Sequence, residues 1–264
     1  MRRAPGRVRQ RGFTLVELLV ALGIFLIVTG AAFSLLGSSQ KQSQTESQVL
    51  TSFQEARLGL DQIVRDVNDA GYPPPTFFQS AYPNLSASAP FAWSPGYTVP
   101  TPCQIGGSCF TPGNFDIIIE TNPNPQDAAS QVQWIRYQLQ GTTLMRGMAP
   151  KATSHDPDID TAAAGVLAPF VQNVINNSSP AQIAQYQVSY PGMFLSGPVP
   201  IFSYTCDTAT VPVACPLAGP ANAPANIREV IVTLIVAAPA PDATTGVPRI
   251  VQLTGRGRRV NPNQ

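Results

Sequence analysis

Between Phe13 and Gly37 the chain runs for twenty-five residues with a single charge, Glu17. As a helix that stretch is about 38 Å long, enough to cross a hydrocarbon core of about 30 Å. Five arginines (Arg2, Arg3, Arg7, Arg9 and Arg11) precede it. A secretory signal would close on small residues at a cleavage site, whereas here the chain turns Gln- and Ser-rich from Ser38 with no A-x-A pattern. The run therefore reads as an anchor that stays. The helical pattern continues beyond it. Val49, Phe53, Ala56, Leu60, Ile63 and Val67 recur at spacings of 4, 3, 4, 3 and 4, one apolar stripe on a helix. Gly71 and Pro73-Pro74-Pro75 stop it. The expectation is one helix from about Phe13 to Ala70, about 85 Å if straight, with a first half suited to lipid and a second half suited to protein.

Glu17 is the anomaly. A carboxylate inside an apolar span is costly unless it is paired or close to the interface, and the apolar run contains no cation. A new α-amino group at Phe13, created by a cut after Gly12, would supply one. Four residues of rise, about 6 Å, separate that amine from Glu17 within one helix. A neighbouring subunit displaced along the axis could bring its own amine closer. Such a pair would set register, because an unpaired partner is penalised.

At Gly12-Phe13-Thr14-Leu15-Val16-Glu17-Leu18, behind a short basic leader, the sequence resembles the type IV pilins and the pseudopilins of type II secretion. The resemblance implies cutting between Gly12 and Phe13 by a membrane prepilin peptidase, N-methylation of Phe13, and a part for Glu17 in processing and in docking into the fibre. Many major pilins carry a proline partway along the apolar helix, and this chain has none between Phe13 and Ala70. The segment "LDQIVRDVNDAGYP", Leu60 to Pro73, and the late order of segments around "NIREVIVTLIV" resemble W-type minor pilins and their J-type pseudopilin relatives. Those assemble with other minor subunits into a tip or priming complex.

Charged residues make up only 12% of the 264, and 27 prolines and 20 glycines imply extensive loops. The formal charge of +1 hides an asymmetry: without the leader, eleven positive groups face fifteen negative ones. An acidic remainder argues against direct nucleic-acid binding. Cys103 and Cys109 form one close pair and Cys206 and Cys215 another. With a membrane-targeting start, an even number reads as disulfides in an oxidising compartment. Three connectivities are open, and proximity favours the two local pairs.

Tyr72 to Pro102, rich in Pro, Ser and aromatics, reads as a long packed surface loop. Strand signals follow at Phe115–Thr121, at Gln131–Gln140 with a turn at Gly141-Thr142 into Thr143–Arg146, at Val166–Asn176, at Ile183–Tyr190 and at Pro200–Cys206. Ile227–Ala237 is the strongest, with Arg249–Thr254 as its antiparallel partner. The fold class expected is α+β: a long N-terminal helix on a mostly antiparallel sheet.

Asp156, Asp158 and Asp160 alternate as in a calcium loop, but Thr161 and Leu167 stand where such a loop needs Gly and Glu, which leaves only a weak metal candidate. His155, the single histidine, has no matched catalytic partner in sequence, and Cys spacings are too wide for a usual zinc site. No cofactor and no enzymatic activity are expected. The domains expected are a leader (1–12), a transmembrane assembly helix (13–37), its amphipathic continuation (38–71) and a β-rich periplasmic or extracellular domain (72–264). The reading is a minor pilin-like subunit, anchored in the inner membrane and then assembled. Its partners are the prepilin peptidase, other major and minor pilins or pseudopilins, the inner-membrane assembly platform and the membrane itself. A type II secretion pseudopilin is the nearest alternative. A membrane-tethered periplasmic binding protein or enzyme is the alternative of another class.

Overall fold

The computed structural model describes residues 14–73, 87, 90–92, 113–124, 130–151, 167–207, 213–215, 226–242 and 246–259. Helix α1, Leu15–Asn68, is uninterrupted. It contains no proline, and its glycines are isolated, each costing about 1 kcal/mol and none breaking the ladder. The chain divides into two compact units, Met1–Ser47 and Gln48–Gln264. In the first, the described residues belong to α1 and its cap.

In the second unit the expected stripe is realised: Val49, Ala56, Leu60, Ile63 and Val67 are buried, and Phe53 is half-buried. Two antiparallel sheets pack with it. The first has the order β1 (Phe91–Ala92), β2 (Asp116–Thr121), β3 (Gln133–Gln140), β4 (Thr143–Pro150), β5 (Ala168–Val171). The second comprises β6 (Phe202–Cys206), β7 (Val213–Ala214), β8 (Ile227–Pro241) and β9 (Pro248–Arg258), in the order β7-β6-β8-β9. One core joins Ala56, Leu60, Ile63 and Val67 to Ile117, Ile119, Ile135 and Tyr137 of the first sheet and to Val230, Val232, Leu234 and Val236 of the second. Strand alternation explains the selection, since residues two apart share a face.

Small residues set how closely α1 approaches. A Cβ on Gly255 would stand 2.7 Å from Val64 Cγ2, and one on Gly257 2.5 Å from Val67 Cγ1. Gly59 plays the same part from the helix side, against Val171. The helix end is fastened to both sheets. Gly71, at φ +80°, donates its N–H to the Glu120 carbonyl at 2.8 Å, and the Arg258 N–H donates to Asn68 Oδ1 at 2.8 Å.

The β3–β4 hairpin and the β8–β9 pair form where the alternation placed them, with Ile235 opposite Gln252 and Gly141 at φ +60° in the first turn. Three expectations are corrected. The strands form two sheets, because β6 pairs with β8 (Phe202 opposite Val232) and not with the preceding strands. The Val166–Asn176 segment yields only the four-residue β5, then a single bridge from Val174 to Val236. Ile183–Tyr190 is not a strand but most of helix α2, Pro180–Ser189. Ser179 and Gln182 form a capping box and Pro180 occupies the first turn, which together specify a helix start. The less exposed residues Ile183, Tyr186, Gln187 and Tyr190 fall at the helical spacing i, i+3, i+4, i+7. Of the Tyr72–Pro102 loop, Phe91 is buried in β1 at the edge of the first sheet; most of the rest lies outside the described residues.

Candidate assembly site

From Leu15 to Leu36 the first unit's helix is apolar on every side, and it buries almost nothing. Leu15, Val16, Leu18, Phe25, Ile27, Phe33 and Leu35 are all exposed, Leu15 at 76% and Ile27 at 73%. An 18-residue window reaches a mean hydropathy of 2.5 with none of it buried. A helix hydrophobic all round needs lipid or other protein around it, and this one is long and apolar enough to cross a membrane. It supports membrane anchoring.

Its start is built by Thr14 and Glu17. The Thr14 N–H and hydroxyl both donate to Glu17 Oε2 at 3.0 Å, and the Glu17 N–H donates to Thr14 Oγ1 at 3.3 Å. This is a reciprocal capping box, worth about 1 kcal/mol, with an acid in the first turn where the helix dipole favours it. So the charge of Glu17 has a local use besides any partner on a neighbouring chain. The signal was present in sequence as Thr-x-x-Glu before an apolar run. Gly12 and Phe13 lie outside the described residues, as do Asp156, Asp158, Asp160, His155, Cys103 and Cys109. Cys206 and Cys215 are joined in a disulfide that closes β6 onto β7.

The second unit fixes α1 against the first sheet with a polar network. The Tyr137 hydroxyl donates to Asp66 Oδ2 at 2.6 Å, Arg146 Nη2 donates to the same oxygen at 3.1 Å, and Gln62 Nε2 donates to Oδ1 at 2.7 Å. Arg146 Nε donates to the Tyr137 hydroxyl at 2.9 Å, and its guanidinium lies 5.6 Å from that ring centroid and 5.9 Å from that of Phe170. Burial, together with the Asp66 charge, pushes the Tyr137 hydroxyl far above its usual range, so it remains a donor. On the sheet's other face Arg136 pairs with Asp116 through two hydrogen bonds, and the buried Lys151 ammonium meets Glu120 at 2.5 Å. Sequence reasoning pointed to none of these pairs.

The family described as "Prokaryotic N-terminal methylation motif" matches residues 7–33. Those residues contain the basic leader's end, Gly12, Phe13, Thr14 and Glu17, and most of the apolar run. No curated protein and no solved structure matches the chain. The match supports a type IV pilin-like or pseudopilin-like protein, a structural subunit processed by a prepilin peptidase and assembled with other pilins.

Proposed function

We propose that this chain is a minor pilin-like subunit of a type IV pilus, placed in a priming or tip complex. One observation carries the reading: a proline-free, all-round apolar helix, capped by Thr14 and Glu17, stands exposed within a methylation motif. Such a surface is stable only in lipid or between other helices, and a subunit that leaves the membrane for a fibre requires both in turn. The peptidase cuts between Gly12 and Phe13 and methylates Phe13. The globular unit then stands on the periplasmic side. Glu17 pairs with the new amine of an adjacent subunit and sets axial register. The unbroken helix supports a minor over a major subunit, because the proline that many major pilins carry is absent.

The testing experiment is the mass and N-terminal sequence of the chain extracted from membranes. A start at methylated Phe13 is expected. A start at Met1 in cells with active prepilin peptidase would leave a tethered domain and overturn the reading. In the same assay Gly12→Leu should block the cut.

A further inference from the structure

Ile183–Tyr190, helical through Ser189 where its alternation predicts a strand, carries a second surface. Val188 supplied the alternation that suggested a strand, yet on α2 it is 85% exposed. In the loop that follows, Leu195 is 79% exposed. Both sit on the far side of the second sheet from α1, where Ile183 and Phe194 cover Ile235 and Ala237 of β8. Gln187 Nε2 donates to the Phe194 carbonyl at 2.6 Å, tying the turn that ends α2 to the loop. Phe194 stacks near Tyr186, with ring centroids 6.0 Å apart. Its backbone is left-handed, at φ +57°. For a bulky residue that conformation is strained. It seats the Phe194 ring in the core while the next residue, Leu195, faces solvent.

Charge is absent from this stretch of the chain. From Thr161 to Cys206, forty-six residues in succession include no Asp, Glu, Lys, Arg or His. At the chain-wide 12% charged, a stretch of that length would hold about five. The described part of it exposes Ala184, Gln185, Val188, Pro191 and Leu195 among other uncharged residues. Depletion of charge around exposed apolar side chains is the compositional mark of a protein–protein interface core. Nucleic acids and anionic lipid surfaces are recognised through Lys and Arg, which the Thr161–Cys206 stretch lacks. A charged protein surface would leave its own ions unpaired on docking.

We propose that the outer face of α2 and the Pro191–Pro200 loop docks a neighbouring protein subunit, which meets it with an uncharged, apolar surface of its own, centred on Val188 and Leu195. The proposal deepens the fibre-subunit reading and rests on it for the identity of the neighbour. Both anchors are exposed, so substitution leaves the core intact. A local misfit between pattern and fold, and a strained backbone beside it, are features retained where function requires them.

The test uses the full chain in its own cells, with a photo-crosslinking side chain at position 188 or 195. The adducts are sequenced from whole membranes. The expected result is an adduct with a protein that itself starts at a methylated residue. Its yield should fall at least tenfold when the second anchor is made charged (Leu195→Lys or Val188→Lys), and stay unchanged with Leu195→Met or Val188→Met. The Cys206–Cys215 disulfide should form in every variant. A lipid adduct, no adduct, or a protein adduct indifferent to the lysine would overturn the proposal. The wild-type N-terminus reports separately: a start at Met1 overturns the pilin-like function, whereas adduct yield decides the docking surface.

Discussion

The two halves of α1 are one continuous helix in opposite environments. Before Ser47 the large apolar side chains of the described residues are exposed on every side. After Gln48 most apolar residues gather on one buried stripe, and Glu55, Arg57, Asp61 and Arg65 share the remaining surface with the exposed Leu50 and Leu58. The backbone is the same, so the difference lies in what each half leaves unfinished. The second half completes its packing inside its own unit, with two sheets and a buried aspartate network. The first half is complete only in the company of lipid or other helices. Folding and assembly are thereby written on separate stretches of one element, and changes in one should be silent in the other.

The largest expected effect is on assembly, where a loss at each docking step multiplies along the fibre. Glu17→Ala removes both the charge and the capping box, whereas Glu17→Gln keeps an acceptor for Thr14 and removes the charge alone. Both variants should insert normally yet enter fibres at least tenfold less than wild type, about 1.4 kcal/mol or more per docking step. Quantifying the chain in sheared fibres checks this; normal incorporation of the Gln variant would show that the cap suffices and would remove the register argument. Neither change should alter unfolding of the globular unit.

Next comes the stripe. Ile63 is fully buried, so Ile63→Ala should destabilise the globular unit by about 2–5 kcal/mol in urea unfolding. Ile24 is 58% exposed, and Ile24→Ala should leave that midpoint unchanged. Equal effects would break the division between the halves.

The division was legible in the sequence because it rests on local periodicity. An apolar run, a 3-4 stripe and the alternation of Ile227–Ala237 are each set by residues within a few positions of one another. What was hidden depends on distance along the chain. Asp66 finds Tyr137 71 positions away and Arg146 80 away. The split into two sheets follows from β6 choosing β8, a pairing that no local pattern encodes. Helix α2 was hidden for another reason: with ten residues and exposed Val188, it fits both periods, and only its cap decides. At the candidate site Glu17 was legible as an anomaly, while its bond to Thr14 was legible as a motif that the membrane argument passed over.

Removing the disulfide tests the globular unit alone. Cys206→Ser with Cys215→Ser should cost about 2–3 kcal/mol, read as a lower unfolding midpoint, with membrane insertion unaffected. A smaller and sharper comparison uses glycines. Gly257→Ala places a Cβ 2.5 Å from Val67 Cγ1 and 3.2 Å from the Val64 carbonyl oxygen, a cost of about 1–3 kcal/mol by overpacking. Gly30→Ala meets nothing within 4 Å and should cost nothing in the globular unit. Thermal unfolding of the two variants side by side would show whether close approach to α1 belongs to the second half only.

The smallest effect concerns the face of the first sheet turned away from α1. Burial raises the Asp116 carboxyl above its usual range, while Arg136 opposes that rise through its hydrogen bonds and charge. Arg136→Gln removes the opposing cation, so the folded-state value rises further. A carboxyl raised on folding favours the native state below its unfolded value of about 4, and that contribution is lost as pH climbs through the folded value. The variant should therefore be about 1.5 kcal/mol less stable than wild type at pH 7 and recover part of the deficit by pH 4. Denaturant titrations at the two pH values measure it. A deficit independent of pH would mean that Arg136 acts by packing its stem and not by holding Asp116 ionised. In either case insertion and leader cleavage should be untouched, since this face contributes nothing to the helix that leaves the globular unit.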